Sequence, residues 1–386
     1  MSGVIVGDGM SDAMARRLVE LRKRRGWTQE ALAEAAGLSI GVVKKIEAGG
    51  SAKIESYLAI AQALGVTLQF ASHDLEALAD MVFAADEGGD PERMSYVVRH
   101  PRRLDRATVQ SLASILASQR RIEDQRGSAA VLGPVTAQAG VVNHLVRESA
   151  DNEVRRALMD VGSQWAQFAG WITETTAHYP DSLRWYTQAM EWAGEADNPD
   201  LFATAISMRG HLAWVQDKFQ TMVRLSRAAT WQPTCLSVKA MAMQQEARGL
   251  ALLGDATAAD ERLDRAEELA ATAAHHPQGE QDWMYFYDQD YFAMQRGLAD
   301  LYLGRYERAI ERLTGGLDRI PAEIRGSDWV AWYVLRLGEA YVRLGESSVG
   351  AAHIAEAESV AVATGAERLC NEIRGLVDQL RLGHAT

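Results

Sequence analysis

The sequence predicts an all-α chain in two parts, a small N-terminal module of short helices and a long α-helical solenoid. Three observations carry this reading. Between Ser11 and Leu64, apolar residues recur at helical spacing in short runs, each stopped by glycine. Beyond Ala129 one helical run follows another to the end, and only eight prolines interrupt 386 residues. Within that second stretch a small residue returns at Gly170, Gly210, Ala247, Gly297 and Gly338, at intervals of 40, 37, 50 and 41 residues, as a repeated supersecondary unit requires.

Taken in order, residues 1–10 have no period and are expected to be a disordered tail. A first helix is expected from about Ser11 to Arg25, ending in the basic run Arg22-Lys23-Arg24-Arg25. Thr28 then serves as N-cap to a helix that buries Leu32 and stops at Gly37. Ser39 caps the next helix, whose Val42, Val43 and Ile46 face inward while Lys44 and Lys45 face out, until Gly49-Gly50 ends it. Two short helices about a glycine turn, with lysines on the second, suit insertion of one helix into a DNA major groove. A further helix is expected from Ile54 to Leu64, and Val66–Phe70 reads equally as a strand or as a fifth helix.

This stretch, roughly Ala13 to Val66, resembles the Cro/repressor-type (XRE) helix-turn-helix family. The resemblance rests on Thr28-Gln29, Leu32-Ala33, the turn Ala36-Gly37-Leu38-Ser39, the closing Ile46-Glu47-Ala48-Gly49, and Leu64-Gly65-Val66. It implies a five-helix domain over residues 11–70, with Gln29 against a phosphate and Lys45 as a base reader beside Lys44. The DNA-facing set so expected is Arg25, Thr28, Gln29, Ser39, Ile40, Gly41, Lys44, Lys45 and Lys53. Ile40 and Gly41 depart from the polar pair found in many relatives: neither offers the bidentate hydrogen bonds that separate base pairs, although Ile40 suits a thymine methyl. Charge agrees with a DNA partner, since Ser11–Phe70 carries nine basic and six acidic residues inside a chain of net charge −12.

Residues 71–130 read as a helical connector. It comprises a helix over 75–85, a hinge at Glu87-Gly88-Gly89-Asp90-Pro91, a short extended or frayed piece from Tyr96 to Pro101, and an amphipathic helix from Asp105 to about Gln125. The arginines around that helix, among them Arg99, Arg102, Arg106 and Arg120, are expected to pair with carboxylates of the acidic body. In residues 131–386, Gly297, Gly304-x-Tyr306, Ala309 and Pro321 resemble the tetratricopeptide pattern, in which small residues let paired helices approach and aromatics fill the grooves, and the resemblance implies a right-handed solenoid. Tyr186, Ala189, Ala229, Leu263, Ala266 and Tyr341 support the other repeats. The most aromatic stretch, Trp283 to Phe292, contains Trp283, Tyr285, Tyr287 and Tyr291; with Trp214, Arg209 and Arg248 it is expected to line a concave ligand face, joined by Trp165, Trp171 and Arg336.

Several classes are disfavoured. The apolar fraction of 47% and charged fraction of 24% are ordinary for a soluble protein. No stretch is expected to approach the length and apolarity of a membrane span, and the N-terminus lacks a signal-peptide pattern. Cys235 and Cys370 are expected to be separate reduced thiols. His275-His276 cannot share a helix face as metal ligands do, no phosphate-binding glycine loop is present, and no nucleophile has a base at recognisable spacing. Neither a cofactor nor a metal nor an enzymatic activity is therefore expected. The layout resembles that of bacterial regulators whose repeat domain senses a peptide or small molecule. It implies a cytoplasmic homodimer on a double-stranded DNA operator; a protein-interaction scaffold localised on DNA is the rival.

Overall fold

The computed structural model describes residues 4–6, 10–50, 52, 54–64, 68–70, 91–284 and 286–383. The chain divides into two compact units, Met1–Ser118 with Thr136–Arg155 and Gln119–Val135 with Arg156–Thr386. The hinge expected at 87–91 falls outside the described residues except for Pro91, as does the helix expected over 75–85.

In the first unit, α1 (Met10–Arg24), α2 (Gln29–Ala35), α3 (Ile40–Glu47) and α4 (Ile54–Ala63) enclose Leu18, Leu32, Val43, Ile46, Ile60 and Leu64. Thr28 Oγ1 accepts from Ala31 N at 3.1 Å and Ser39 Oγ from Val42 N at 3.4 Å, so both predicted caps form. Gly37, at φ +62°, makes the turn between α2 and α3 in a conformation that side chains rarely adopt. Three expectations are corrected. Val4–Val6, read as part of a disordered tail, forms β1, which pairs in parallel with β2 (Leu68–Phe70), so the second of these is a strand and not a fifth helix. Three consecutive β-branched residues, Val4-Ile5-Val6, favour a strand, and Leu68-Gln69-Phe70 takes its structure from pairing with them. Tyr96, expected in an extended or frayed piece, lies in α5 (Pro91–Arg99), where Pro91 opens the helix and Met94, Val97 and Val98 are buried at helical spacing.

Then come α6 (Arg106–Arg126), α7 (Ser128–Glu148) and α8 (Asn152–Thr175), within which the division between the units falls. One of them departs from expectation: α7 is long and apolar enough to cross a membrane by length and composition. Yet it carries Pro134 and 50% of its most apolar window is buried, as in a core helix.

The second unit is a run of helical hairpins. Partners are α8 with α9 (Tyr179–Ala196), α10 (Pro199–Val215) with α11 (Phe219–Ala228), α12 (Leu236–Leu252) with α13 (Ala256–His275), α14 (Gln289–Tyr302) with α15 (Tyr306–Leu317), and α16 (Asp328–Leu344) with α17 (Ser347–Thr364). Helix α18 (Glu367–Gly383) follows. The uneven repeat interval conceals a constant interior. Seven residues after each small position the chain turns through positive φ, at Ala177, Asp217, Gly254, Gly304 and Gly345. Sixteen residues after it the partner helix supplies Tyr186, Ser226, Leu263, Leu313 or Ile354, all but Leu263 lying within contact range of a Cβ built on the glycine. Nineteen residues after it comes a second small residue, Ala189, Ala229, Ala266, Gly316 or Ala357, each buried. Length varies between hairpins, not within them. The longest link, between α13 and α14, holds short 3-10 turns at Pro277–Gly279 and Asp282–Met284.

The turn geometry sets a stability test. Ala177 (φ 62°) and Asp217 (φ 57°) occupy positions that glycine holds in the other hairpins. A Cβ at Gly254 would meet nothing within 4 Å. Gly254→Ala is therefore expected to cost ~1 kcal/mol through backbone conformation alone, whereas Ala177→Gly is expected to be neutral or stabilising by up to ~1 kcal/mol. Urea unfolding of both variants checks the sign; a stabilised Gly254→Ala would contradict it.

Candidate functional site

Two surfaces carry side-chain chemistry, one in each unit. In the first, α3 presents Gly41, Lys44 and Lys45 to solvent, while Val43 and Ile46 anchor its opposite side. Ile40 is half-buried and packs on the core, so little of it remains for a base edge. Around Gly41 the surface is open, a Cβ there meeting only Ser39 Oγ at 3.9 Å. Lys53 lies outside the described residues.

The remaining expected DNA contacts are held in place by the fold. Arg22 Nε and Nη2 donate to the two carboxylate oxygens of Glu47 at 2.6 and 2.8 Å, and its Nη1 donates to the Trp27 carbonyl at 2.8 Å. Gln29 Nε2 donates to Glu47 Oε2 at 2.8 Å. Glu47 thus ties the ends of α1 and α2 to the end of α3. Burial pushes its carboxyl up, but the hydrogen bonds from Arg22 and Gln29 prevail and hold it below the ordinary carboxylate value. Gln29 therefore has a structural partner as well as its place at a helix N-terminus, where unpaired backbone N–H groups favour an anion. Arg25 donates to the Ala63 carbonyl at 3.0 Å and stands 5.4 Å over the Trp27 ring. The Arg22–Glu47 pair was not read from the sequence; its signal was the Glu of the closing Ile46-Glu47-Ala48-Gly49.

In the second unit the first helix of each hairpin contributes to one cavity of about 180 Å³. Counted from the small position, the lining falls in three rows. Six residues before it stand Thr204, Met241, Tyr291 and Trp332; two before it, Phe168, Met208, Gln245 and Gln295; one after it, Trp171, His211 and Arg248. These offsets follow one face of a helix, so the rows were legible once anchored on the small residue. Rings form a continuous chain through the cavity wall: Trp171 to His211 at 5.7 Å, His211 to Trp214 at 5.0 Å, Trp214 to Trp332 at 5.5 Å, Trp332 to Tyr333 at 5.1 Å, and Tyr333 to Tyr291 at 6.3 Å.

The structure brings together Trp214, Arg248, Tyr291 and Trp283 of the expected ligand set, with Trp171. It does not bring the others. Tyr287 is buried behind Tyr291, ring centroids 5.7 Å apart, and Trp165 is a core residue. Arg209, one position before Gly210, turns away to Met190. Arg336 is ion-paired to Glu339 at 2.9 Å and to Glu372. Tyr285 lies outside the described residues.

Polar groups in the wall are mostly satisfied. Arg368 pairs with Glu174 at 3.3 Å and Glu372 at 3.5 Å. His211 Nδ1 lies 2.6 Å from Glu174 Oε1, yet burial depresses its pKa and favours the neutral ring. Glu123 accepts from Ser128 Oγ at 2.7 Å and Trp171 Nε1 at 3.0 Å; burial, reinforced by the Asp328 carboxylate, pushes it up to about 8. Cys235 is buried against Asp200 and the Gly279 carbonyl, and burial pushes its thiol up to about 11, the environment of an inert thiol. Among the described residues no group of His, Cys, Asp and Glu is arranged to hold a metal.

Residues 18–70 match the helix-turn-helix family HTH_3. The N-terminal module is thus a helix-turn-helix domain of the XRE type, and among the described residues the fold is all-α apart from the short β1–β2 pair. No protein among curated sequences matches. Among solved structures, BtubC (BKLC) from P. vanneervenii is similar at 13% identity and TM-score 0.40, over 62% of this chain and 92% of that one. PlcR from Bacillus thuringiensis, solved in complex with the peptide PapR7 and DNA, is similar at 14% identity and TM-score 0.31, over 95% of this chain and 98% of its own. At those scores neither likeness bears on function.

Proposed function

We propose that this chain is a cytoplasmic, sequence-specific transcriptional regulator. Its helix-turn-helix domain reads an operator, and its solenoid both pairs two copies and senses an effector. The observation that carries the reading is the outward face of α3, with Gly41, Lys44 and Lys45 exposed on a helix whose cap, turn and inner face are fixed. One such domain touches few bases, and two on one duplex multiply affinity and read a palindrome, which is the physical reason for a homodimer. The solenoid cavity, apolar-walled with a few polar groups, suits a peptide segment or a small molecule. An effector there would act by changing how the paired reading domains are presented to DNA. Among the described residues nothing in the wall is arranged as a nucleophile with a base, so we assign no enzymatic role.

Ile40, half-buried, and Gly41, without a side chain, favour one alternative: phosphate-dominated binding that only localises a scaffold on DNA. Selection of bound fragments from genomic DNA separates the two. A regulator enriches one inverted repeat with half-sites about one helical turn apart; a scaffold recovers unrelated fragments in a salt-sensitive way. Replacing Lys44 and Lys45 together by alanine is expected to weaken operator binding and to lower the slope of log affinity against log salt by about 1 per phosphate contact removed. Unchanged affinity in a gel shift would remove α3 as the reader.

A further inference from the structure

We propose that the solenoid cavity takes a monocarboxylate whose apolar body is about one ring in size. This rests on the reading of the cavity as an effector site and adds the chemistry of the effector. Arg248 is 3% exposed and lines the cavity. Its guanidinium lies 4.5 Å over the Trp214 ring, and Nη1 reaches Gln295 Oε1 at 3.4 Å. Among the described residues no partner accepts from its Nε or Nη2. Those two nitrogens form one edge of the planar fork, presenting parallel N–H groups at the spacing of a carboxylate's two oxygens. A buried charge with a vacant bidentate edge is costly until an anion meets it.

The surroundings fix the rest. Arg368 already has its carboxylates, His211 is held neutral, and Arg120 and Asp124 bring opposite formal charges to the wall, so the Arg248 edge suits one negative charge rather than a dianion. An aromatic wall alone would also suit a cation, but the guanidinium over Trp214 occupies that face and repels one. Glu123, pushed up by burial, offers little repulsion to the anion near neutrality. Trp283 and Trp329 also line the cavity, and their buried indole N–H groups have no acceptor among the described residues. As for size, about 180 Å³ is slightly more than the ~150 Å³ that accommodates benzene in an engineered cavity. A free aromatic acid and the C-terminal residue of a peptide share this chemistry.

Calorimetric titration of the full chain decides it. The probes are indole-3-acetate and 3-phenylpropionate, their primary amides, and a pentapeptide ending in tryptophan with either a free or an amidated C-terminus. At least one acid is expected to bind about tenfold or more tightly than its amide, as loss of a charge-assisted bidentate pair implies. Arg248→Gln should abolish that preference, and Arg209→Gln, outside the cavity, should keep it. A free acid that binds while the peptide does not identifies a small-molecule source, and the reverse identifies a peptide. Equal binding of acid and amide to the wild-type protein overturns the carboxylate assignment while leaving the cavity an effector site, and needs no variant to fold. No binding of any acid or free-terminus peptide at millimolar concentration also overturns it, whereas the regulator reading stands or falls separately on fragment selection.

Discussion

Glu47→Ala is expected to abolish DNA binding while leaving the solenoid folded. The carboxylate is met by both Arg22 nitrogens of one edge and by Gln29, and the side chains of Arg22 and Glu47 are 10% and 4% exposed. Removing the acid leaves a largely buried guanidinium with the Trp27 carbonyl but no counter-charge, at a cost of ~3 kcal/mol. A module of this size has only a few kcal/mol of stability in total, ~0.1 kcal/mol per residue. Amide exchange over α1 to α4 should rise towards that of an unfolded segment, with α9 to α17 unaffected. Since Glu47 does not lie on the exposed face of α3, the loss would come through fold rather than contact. Glu47→Gln, which keeps one acceptor, should fall between. The wild-type pH dependence has a defined sign. Glu47 is held below its ordinary value of 4.5, so its stabilisation is present above the unfolded value and is lost as pH falls through the lower folded one. Glu47→Ala should lack that acid-side loss. Exchange indistinguishable from wild type would show that the pair is dispensable.

What the sequence made legible is local. Thr28, Gly37 and Ser39 announce α2 and α3 because caps and a left-handed turn depend on neighbours within four residues. The Arg22–Glu47 pair joins residues 25 apart, and no spacing rule reaches that far. The repeats were legible through their glycines, which must be small because another helix passes over them. Their ligand face was only half legible. Local aromatic density drew attention to Trp283 through Tyr291, which includes the buried Tyr287, and passed over Gln295, Trp332 and Tyr333, which are scattered among hairpins. Strand β2 was ambiguous for a different reason: its partner, Val4–Val6, lies more than sixty residues away in sequence, and a three-residue segment takes its structure from what it pairs with.

Gly350→Ala is expected to be among the most damaging single-methyl changes in the solenoid. Helices α16 and α17 cross at Gly338 and Gly350, and a Cβ on Gly350 would stand 2.6 Å from the Gly338 carbonyl oxygen and 2.9 Å from Val342 N. Both are backbone atoms within a helix and cannot rotate aside, so the helices must separate. Overpacking of this kind costs ~1–3 kcal/mol, more where nothing can relax, and each kcal/mol lowers the melting temperature by ~2–4 °C at this domain size. Gly316 offers a control. A Cβ there would collide even more closely, but with Met294 Cγ, part of an unbranched side chain with several rotamers. If the identity of the obstructing atom decides the outcome, Gly316→Ala melts above Gly350→Ala; if nominal distance decides, the order reverses. The same displacement reaches the cavity, because α16 supplies Trp332 and Tyr333 to its wall. Gly350→Ala should therefore also weaken whatever the cavity binds, at temperatures well below its melting point, and intact affinity there would show that the crossing of α16 and α17 does not set the position of those rings.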